Sequence, residues 1–197
     1  MRIDLQIIAE WIQPQSRVLD LGCGDGTLLS HLQNTKSILG YGLEIDPFNI
    51  TACIQKGVNV IEQDLDVKGL ANLRQQHFDV VVMTQALQAV RQPDIMLDEM
   101  LRLGKECIIT FPNFAYWKLR FYLLSKGRMP VSKTLPYTWY NTPNIHLCTF
   151  RDFEALCRDK NIRILRRAVV NDDQESQTLA QRFPNWLGQI AIYQVTK

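Results

Sequence analysis

Apolar positions along the chain fall into two rhythms. In the first half, "SRVLDL" (16–21), "SILGYGLE" (37–44), "VNVIEQD" (58–64), "FDVVVMT" (78–84) and "ECIITF" (106–111) are short β-rich runs that predict five strands. Their apolar character is unbroken rather than alternating, which suits parallel strands covered on both faces. Between them, "TLLSHLQ", "PFNITACIQKG", a short "VKGLANLR" and "PDIMLDEMLRLG" carry helical patterns. The opening "MRIDLQIIAEWI" sets Ile3, Ile7, Ile8 and Trp11 at helical spacing. Gly57 and Gly104 follow helical stretches, where a C-terminal cap is wanted. Strands and helices alternating at this length imply right-handed crossovers and a doubly wound, mostly parallel α/β sheet.

The rhythm changes after residue 111. The stretch "FPNFAYWKLRFYLLSKGRMPVSKTLPYTWYNTPNIHLC" is aromatic-rich and punctuated by Pro, and it predicts an insertion at about 112–147. Then "TFRDFEALCRDK" reads as a helix capped by Thr149. "IRILRRAVV" and "LGQIAIYQV" close the chain as two strands separated by a polar loop, 171–185. With no helix between them they are expected to pair as an antiparallel C-terminal edge. Length and the lack of repeats or linkers predict one domain of 197 residues.

Charge narrows the classes of partner. There are 22 basic and 20 acidic residues, a formal net charge of +2, so no global field favours nucleic acid or a membrane surface. The apolar runs are too short to cross a bilayer, and Asp4 and Glu10 break up the N-terminal one, which therefore does not read as a signal peptide. Cys23, Cys53, Cys107, Cys148 and Cys157 are dispersed, without C-x-x-C spacing. Free thiols in a reducing cytoplasm are expected, and no zinc site.

The candidate chemistry begins at "DLGCGDG", residues 20–26, between the first strand and its helix. That is the first crossover of a doubly wound sheet, where ligands gather beyond the strand ends. A dinucleotide site would carry G-x-G-x-x-G; here Gly22, Gly24 and Gly26 alternate, flanked by Asp20 and Asp25. Carboxylates repel a pyrophosphate and attract an ammonium or sulfonium, so the loop favours a cationic nucleoside, of which S-adenosylmethionine is the common one. Cys23 reads as a small side chain packed behind the turn rather than a nucleophile. In "YGLEIDPFN", Pro47 favours the first helical position and makes Asp46 the N-cap. Glu44 is left at the strand end to accept from both ribose hydroxyls, and it would reject a 2′-phosphate. Asp64 of "EQDLD" reads either as the acceptor of the adenine amino group or as a turn residue, and Asp66 as another helix cap.

Together these pieces resemble the class I S-adenosylmethionine-dependent methyltransferase fold. "DLGCGDG" stands as its first motif, Glu44 as its ribose acid, Asp64 as its adenine contact and "FDVVVMTQALQAV" as its fourth strand and turn. The resemblance also assigns Ile45, Leu65 and Thr84 to the cofactor pocket. The later segment, with "FPNFAYW", "GRMP" and "WYNTPNIHLC", resembles the methionine-biosynthesis MetW family over nearly the whole chain. Ala115 and Tyr116 stand where the family pattern has Gly-His, and Thr110 where it has Ser; an activity that needed that His would be lost. The resemblance implies an activating companion of a homoserine O-acyltransferase, itself an α/β-hydrolase, with S-adenosylmethionine or S-adenosylhomocysteine as ligand.

Three readings compete on the residues. A small-molecule methyltransferase would need a positioned acceptor and, for a protonated acceptor, a base. His146 is the base candidate, and reads equally as a hydrogen-bonded structural histidine. No N-P-P-Y follows the fourth strand, which disfavours methylation of base amino groups. In a companion protein, Trp117, Tyr137, Trp139 and Tyr140 would anchor an interface. Helical spacing alone places such aromatics in a core; the resemblance places them at a partner. An RNA binder would use the acid-free stretch from Cys107 to Arg151, with Lys118, Arg120, Lys126, Arg128 and Lys133 among the aromatics. Five cations over some forty positions are too sparse to favour it. The companion reading is preferred, with the methyltransferase as alternative.

Overall fold

The protein is described by a computed structural model covering residues 1–67, 69–71, 73, 77–132, 134–171 and 177–197, without the side chains of 177 and 178. The five apolar runs become β1 (Arg17–Leu21), β2 (Leu39–Glu44), β3 (Asn59–Glu62), β4 (Phe78–Thr84) and β5 (Gly104–Pro112). They are joined by α2 (Thr27–Lys36), α3 (Pro47–Gln55), a single 3-10 turn at Leu87–Ala89 and α4 (Pro93–Leu103), after an opening α1 (Ile3–Trp11). The second half adds α5 (Trp117–Lys126), α6 (Phe150–Asp159), β6 (Arg163–Val170), α7 (Gln177–Arg182), α8 (Pro184–Leu187) and β7 (Ile190–Thr196).

One seven-stranded sheet results, in the order β3-β2-β1-β4-β5-β7-β6. β1 to β5 run parallel, and β7 lies antiparallel to both β5 and β6. The chain builds outward from β1 to β3, then returns to add β4 beside β1. Asp20 thus pairs with Gly42 on one side and Val82 on the other, at the reversal of strand order where α/β sheets bind ligands.

Consecutive residues within each strand face opposite sides, so one apolar run serves two cores. Val18, Val80, Val82 and Ile108 pack under Ile8 of α1 and Leu28, Leu29 and Leu32 of α2. Leu19, Val81, Met83 and Ile109 pack under Leu97 and Met100 of α4 and Phe153 of α6. At the antiparallel end, Tyr193 lies 4.7 Å from Phe153 and 6.0 Å from Phe111, ring centre to ring centre. The Tyr193 hydroxyl donates to Glu154 Oε1 at 2.8 Å, which satisfies the polar tip of this buried ring. Among the described residues, no helix is long and apolar enough to cross a membrane.

The capping expectations hold at three positions, the first being Gly57, which stands just past α3 with a left-handed φ of 71°. Asp46 accepts from the Phe48 amide with Pro47 opening α3, and Thr149 with Asp152 forms a reciprocal capping box on α6. Other expectations are corrected. The 171–185 stretch carries α7 and α8 rather than a loop throughout; its residues 172–176 lie outside the described residues. Buried Ala180 and partly buried Leu187 anchor these short helices, an apolar signal diluted by polar neighbours. The two closing strands still pair antiparallel, with β7 inserted beside β5. The described residues of "VKGLANLR" form turns, with 68, 72 and 74 outside the description. Among the described residues Asp66 caps no helix; its Oδ1 accepts from the Arg91 amide at 2.8 Å. Gly104 ends α4 in an extended conformation, φ −115°, and opens β5. A Cβ there would lie 2.7 Å from Val81 Cγ2, so close packing on β4 requires this glycine.

Gly42 of β2 is required for a similar reason. A Cβ there would collide with Cys23 Sγ and come within 3.0 Å of Cys23 Cβ and 3.3 Å of Leu29 Cδ1. Gly42→Ala is expected to destabilise the fold by about 1–3 kcal/mol, as overpacking does. The shift of the urea midpoint measures this, and Cys23→Ala in the same chain should recover part of the loss.

Candidate functional site

The glycine loop follows β1 directly. Gly22, Gly24 and Gly26 have φ of 69°, 55° and 74°, a left-handed region that residues with a Cβ rarely enter. A Cβ on Gly26 would lie 2.8 Å from Cys53 Sγ, whereas a Cβ on Gly24 would meet nothing within 4 Å. Gly26 is therefore needed for packing against α3, while open space lies over Gly24.

That space is part of a cavity of about 1070 Å³ beyond the strand ends. Its walls include Asp20, Gly24, Asp4 of α1, Thr84 and Gln85 after β4, and Asn144 near the end of the 112–147 segment. Small-molecule sites span roughly 300–1,000 Å³, so this one is large enough for a small molecule of nucleoside size with room beside it.

Among the described acids that line the cavity, Asp20 is the least satisfied. It is 1% exposed, and its Oδ1 accepts no hydrogen bond from the described residues. Burial, reinforced by the Glu44 carboxylate and opposed by Arg2, pushes its carboxyl up from 3.8 to about 7. Asp25, expected to share the role, is instead held by Lys56 Nζ at 2.6 Å and by Thr27. These partners hold its carboxyl below the usual range. Asp4 accepts from Arg2 at 3.0 Å and from Gln85 Nε2 at 3.1 Å. Asp20 is the acid whose charge is left for a ligand.

Glu44 sits at the end of β2 as expected, yet it does not line the cavity. Its Oε2 accepts from the Gly24 amide at 2.7 Å, and its Oε1 from the Ile45 and Asp46 amides at 2.8 and 3.0 Å. It ties the glycine loop to the start of α3, with three of its four or so acceptor positions in use. Asp64 lies two residues beyond β3 and accepts from the Asp66 and Val67 amides in a turn. Leu65 packs partly buried against the core, and Ile45 is 55% exposed; neither lines the cavity. Thr84, Gly22 and Cys23 do. Burial, with the Asp20 charge next, pushes the Cys23 thiol far above its usual value, which removes it as a thiolate nucleophile.

His146 also stays off the cavity wall. Its Nε2 lies 3.2 Å from the Arg91 carbonyl oxygen, and its amide donates to the Gln88 carbonyl. Two cavity residues escape sequence reasoning. Asp4 was legible only as a charge in an apolar helix. Gln85 had no signal, although its φ of 51° is unusual for a residue with a side chain. Its amide donates to both the carbonyl and Oγ1 of Thr110, and its carbonyl accepts from Gln88 Nε2. Gln88 Nε2 also donates to Asn144 Oδ1, so the end of β4 holds the 112–147 segment against the cavity.

Comparison with known proteins agrees with this geometry. The family model described as "Methionine biosynthesis protein MetW" matches residues 2–195. A bifunctional methionine biosynthesis protein MetXA/MetW from Rhodopirellula baltica is 34% identical over 201 residues, covering 98% of this chain. The chain spans only 32% of that relative's length. Among solved structures, an S-adenosylmethionine-dependent methyltransferase from Mesorhizobium loti is 15% identical with a TM-score of 0.69, over 98% of this chain and all of that one. A similar enzyme from Archaeoglobus fulgidus is also 15% identical, with a TM-score of 0.68 over 98% and 91% of the two chains. At such identities the likeness is one of fold, the class I methyltransferase fold. By the extent of the family match, the chain belongs to the MetW family of methionine biosynthesis proteins.

Proposed function

We propose that this chain binds S-adenosylmethionine or S-adenosylhomocysteine and acts in the cytoplasm as the activating companion of a homoserine O-acyltransferase. The observation that carries the ligand is the unpartnered Oδ1 of Asp20 in a cavity whose glycine loop leaves open space over Gly24. An amino-acid ammonium is the group such a buried carboxylate lacks. Asp20, Gly22, Gly24 and Thr84 would hold the ligand directly, with Glu44 keeping the loop in place. Ile45, Asp64 and Leu65 would meet its adenosine end if the β2 and β3 ends close over it. When bound, S-adenosylmethionine supplies an electrophilic methyl group.

Two features support the partner. The relative from Rhodopirellula baltica carries MetXA and MetW in one polypeptide, and we read its MetXA part as the acyltransferase. On this chain, Leu119 is the one buried residue of α5, while Phe121 and Leu124 of that helix are 64% and 85% exposed. Trp139 and Tyr140 are exposed as well, which favours the docking reading of these aromatics over the core reading. Lys133, one of the flanking cations, lies outside the described residues.

The alternative, a small-molecule methyltransferase, draws on the cavity's spare volume. Of its described wall acids, Asp4 and Asp25 are paired and Asp20 is engaged by the ligand ammonium in this reading, while His146, off the wall, is turned to Arg91. Little methyl transfer to free metabolites is expected, and a labelled-methyl assay on cell extract checks this. Rapid turnover abolished by His146→Ala would favour the enzyme.

Co-expression with the acyltransferase of the same organism tests the companion reading. The two should co-elute on size exclusion, and acyltransferase activity should rise. Trp139→Ala should cost about 2 kcal/mol or more of partner affinity while leaving nucleoside binding unchanged. Separate elution with unchanged acyltransferase activity would refute the companion role.

A further inference from the structure

A second, smaller cavity of about 310 Å³ shares no lining residue with the first. It lies among α5, the first turns of α6, β6 and the α7–α8 corner, and Arg120, Arg151, Arg167 and Arg182 all line it. Among the described residues, Glu154 is its one acidic lining residue, and that carboxylate is already engaged. Its Oε1 accepts from Arg167 at 2.9 Å and from the Tyr193 hydroxyl at 2.8 Å. Among the described residues, Arg120, Arg151 and Arg182 have no carboxylate within 4.0 Å. Three guanidinium groups without a described carboxylate partner around one concavity repel each other, and the low-dielectric wall focuses their field.

One of these groups is held rather than loose. Arg120 Nε donates to the Ala115 carbonyl at 2.6 Å, and its guanidinium lies 4.8 Å from the centre of the Trp186 ring. That anchoring leaves its two terminal nitrogens to face a ligand. Arg151 is the second residue of α6, and its amide is tied to Asn185 Oδ1 at 3.3 Å. A cation there opposes the helix dipole, so helix stability does not explain it. Asp152 in the same turn is engaged in the capping box with Thr149. The floor includes Phe150, 1% exposed, so the site joins an apolar base to cationic walls.

We propose that this cavity binds the carboxylate or phosphate group of a small free metabolite. Guanidinium forks match the paired oxygens of either group, and the volume fits a small molecule rather than a nucleotide.

Titration of the full chain with inorganic phosphate and with succinate, against chloride at matched ionic strength, tests the site by calorimetry and thermal shift. Saturable binding of either probe is expected, and the tighter one tells phosphate from carboxylate recognition. Arg120→Gln and Arg151→Gln should each weaken it at least fivefold, while S-adenosylhomocysteine binding in the larger cavity, or an unchanged circular dichroism spectrum, shows that the variants fold. Absence of saturable binding by both probes would overturn the proposal, as would binding that neither variant alters. Capture of an acidic peptide with no response to either small anion would also overturn it, in favour of a protein-docking surface.

Discussion

Asp20→Asn is expected to raise the melting temperature at pH 8 by roughly 5–10 °C and to weaken S-adenosylhomocysteine binding at least tenfold. The native carboxyl is pushed from 3.8 to about 7, chiefly by burial. Between those values the folded chain holds a proton that the unfolded chain has released. Stability therefore falls as pH rises through this window, and the full cost of the ionised group is present above about pH 7. A displacement of this size bounds that cost near 4 kcal/mol, and relaxation around the charge brings the expected gain to roughly 2–4 kcal/mol. The gain should shrink towards pH 4, where the native group is neutral as well. Ligand affinity of the native chain should run the other way, falling below pH 7 as Asp20 takes up its proton. Thermal melts at pH 4.5 and pH 8, with calorimetry at pH 6 and pH 8, measure all of this. A lower melting temperature for the Asn variant at pH 8 would remove Asp20 as an uncompensated buried charge. Such a group costs stability in the free protein, a cost retained where function requires it.

Glu44→Ala should act in the opposite sense on stability, lowering it by about 1–3 kcal/mol. The carboxylate accepts from the Gly24, Ile45 and Asp46 amides, and truncation leaves half-buried Gly24 and the more exposed Ile45 and Asp46 without that partner. Each such loss costs about 1–3 kcal/mol where water cannot reach. Nucleoside affinity should fall as well, by about 1.5–3 kcal/mol, because the loop that shapes the cavity is no longer tied to α3. Glu44→Gln keeps one acceptor oxygen and should fall between the two. Urea denaturation with parallel calorimetry separates the effects. Unchanged stability with lost binding would make Glu44 a ligand contact alone; loss of both supports the tie seen between Glu44 and the loop.

The glycine loop, its flanking Asp20 and the strand-end Glu44 were all legible in the chain, as were the caps at Asp46 and Thr149. What was not legible is which acid remains free. Asp25 looks equivalent to Asp20 in "DLGCGDG", yet Lys56 reaches it from 31 residues away. Gln85 carries no motif, and its bond to Asp4 joins residues 81 apart in the chain. The aromatics of 112–147 carry the same ambiguity, because spacing along a helix does not say whether anything covers its outer face.

The sequence by itself determined the parallel α/β class, the succession of its strands, the crossover loop and the family resemblance. Those features rest on periodicity, backbone sterics and caps, which act between residues a few positions apart. The tertiary structure alone decided that β7 enters between β5 and β6, that Gly104 serves packing rather than a cap, and that Glu44 braces the loop. It alone decided, too, that Asp20 keeps an unpartnered oxygen while four arginines gather around a second cavity. Each depends on distances between distant segments and on the dielectric around a charge, and neither exists until the sheet has assembled.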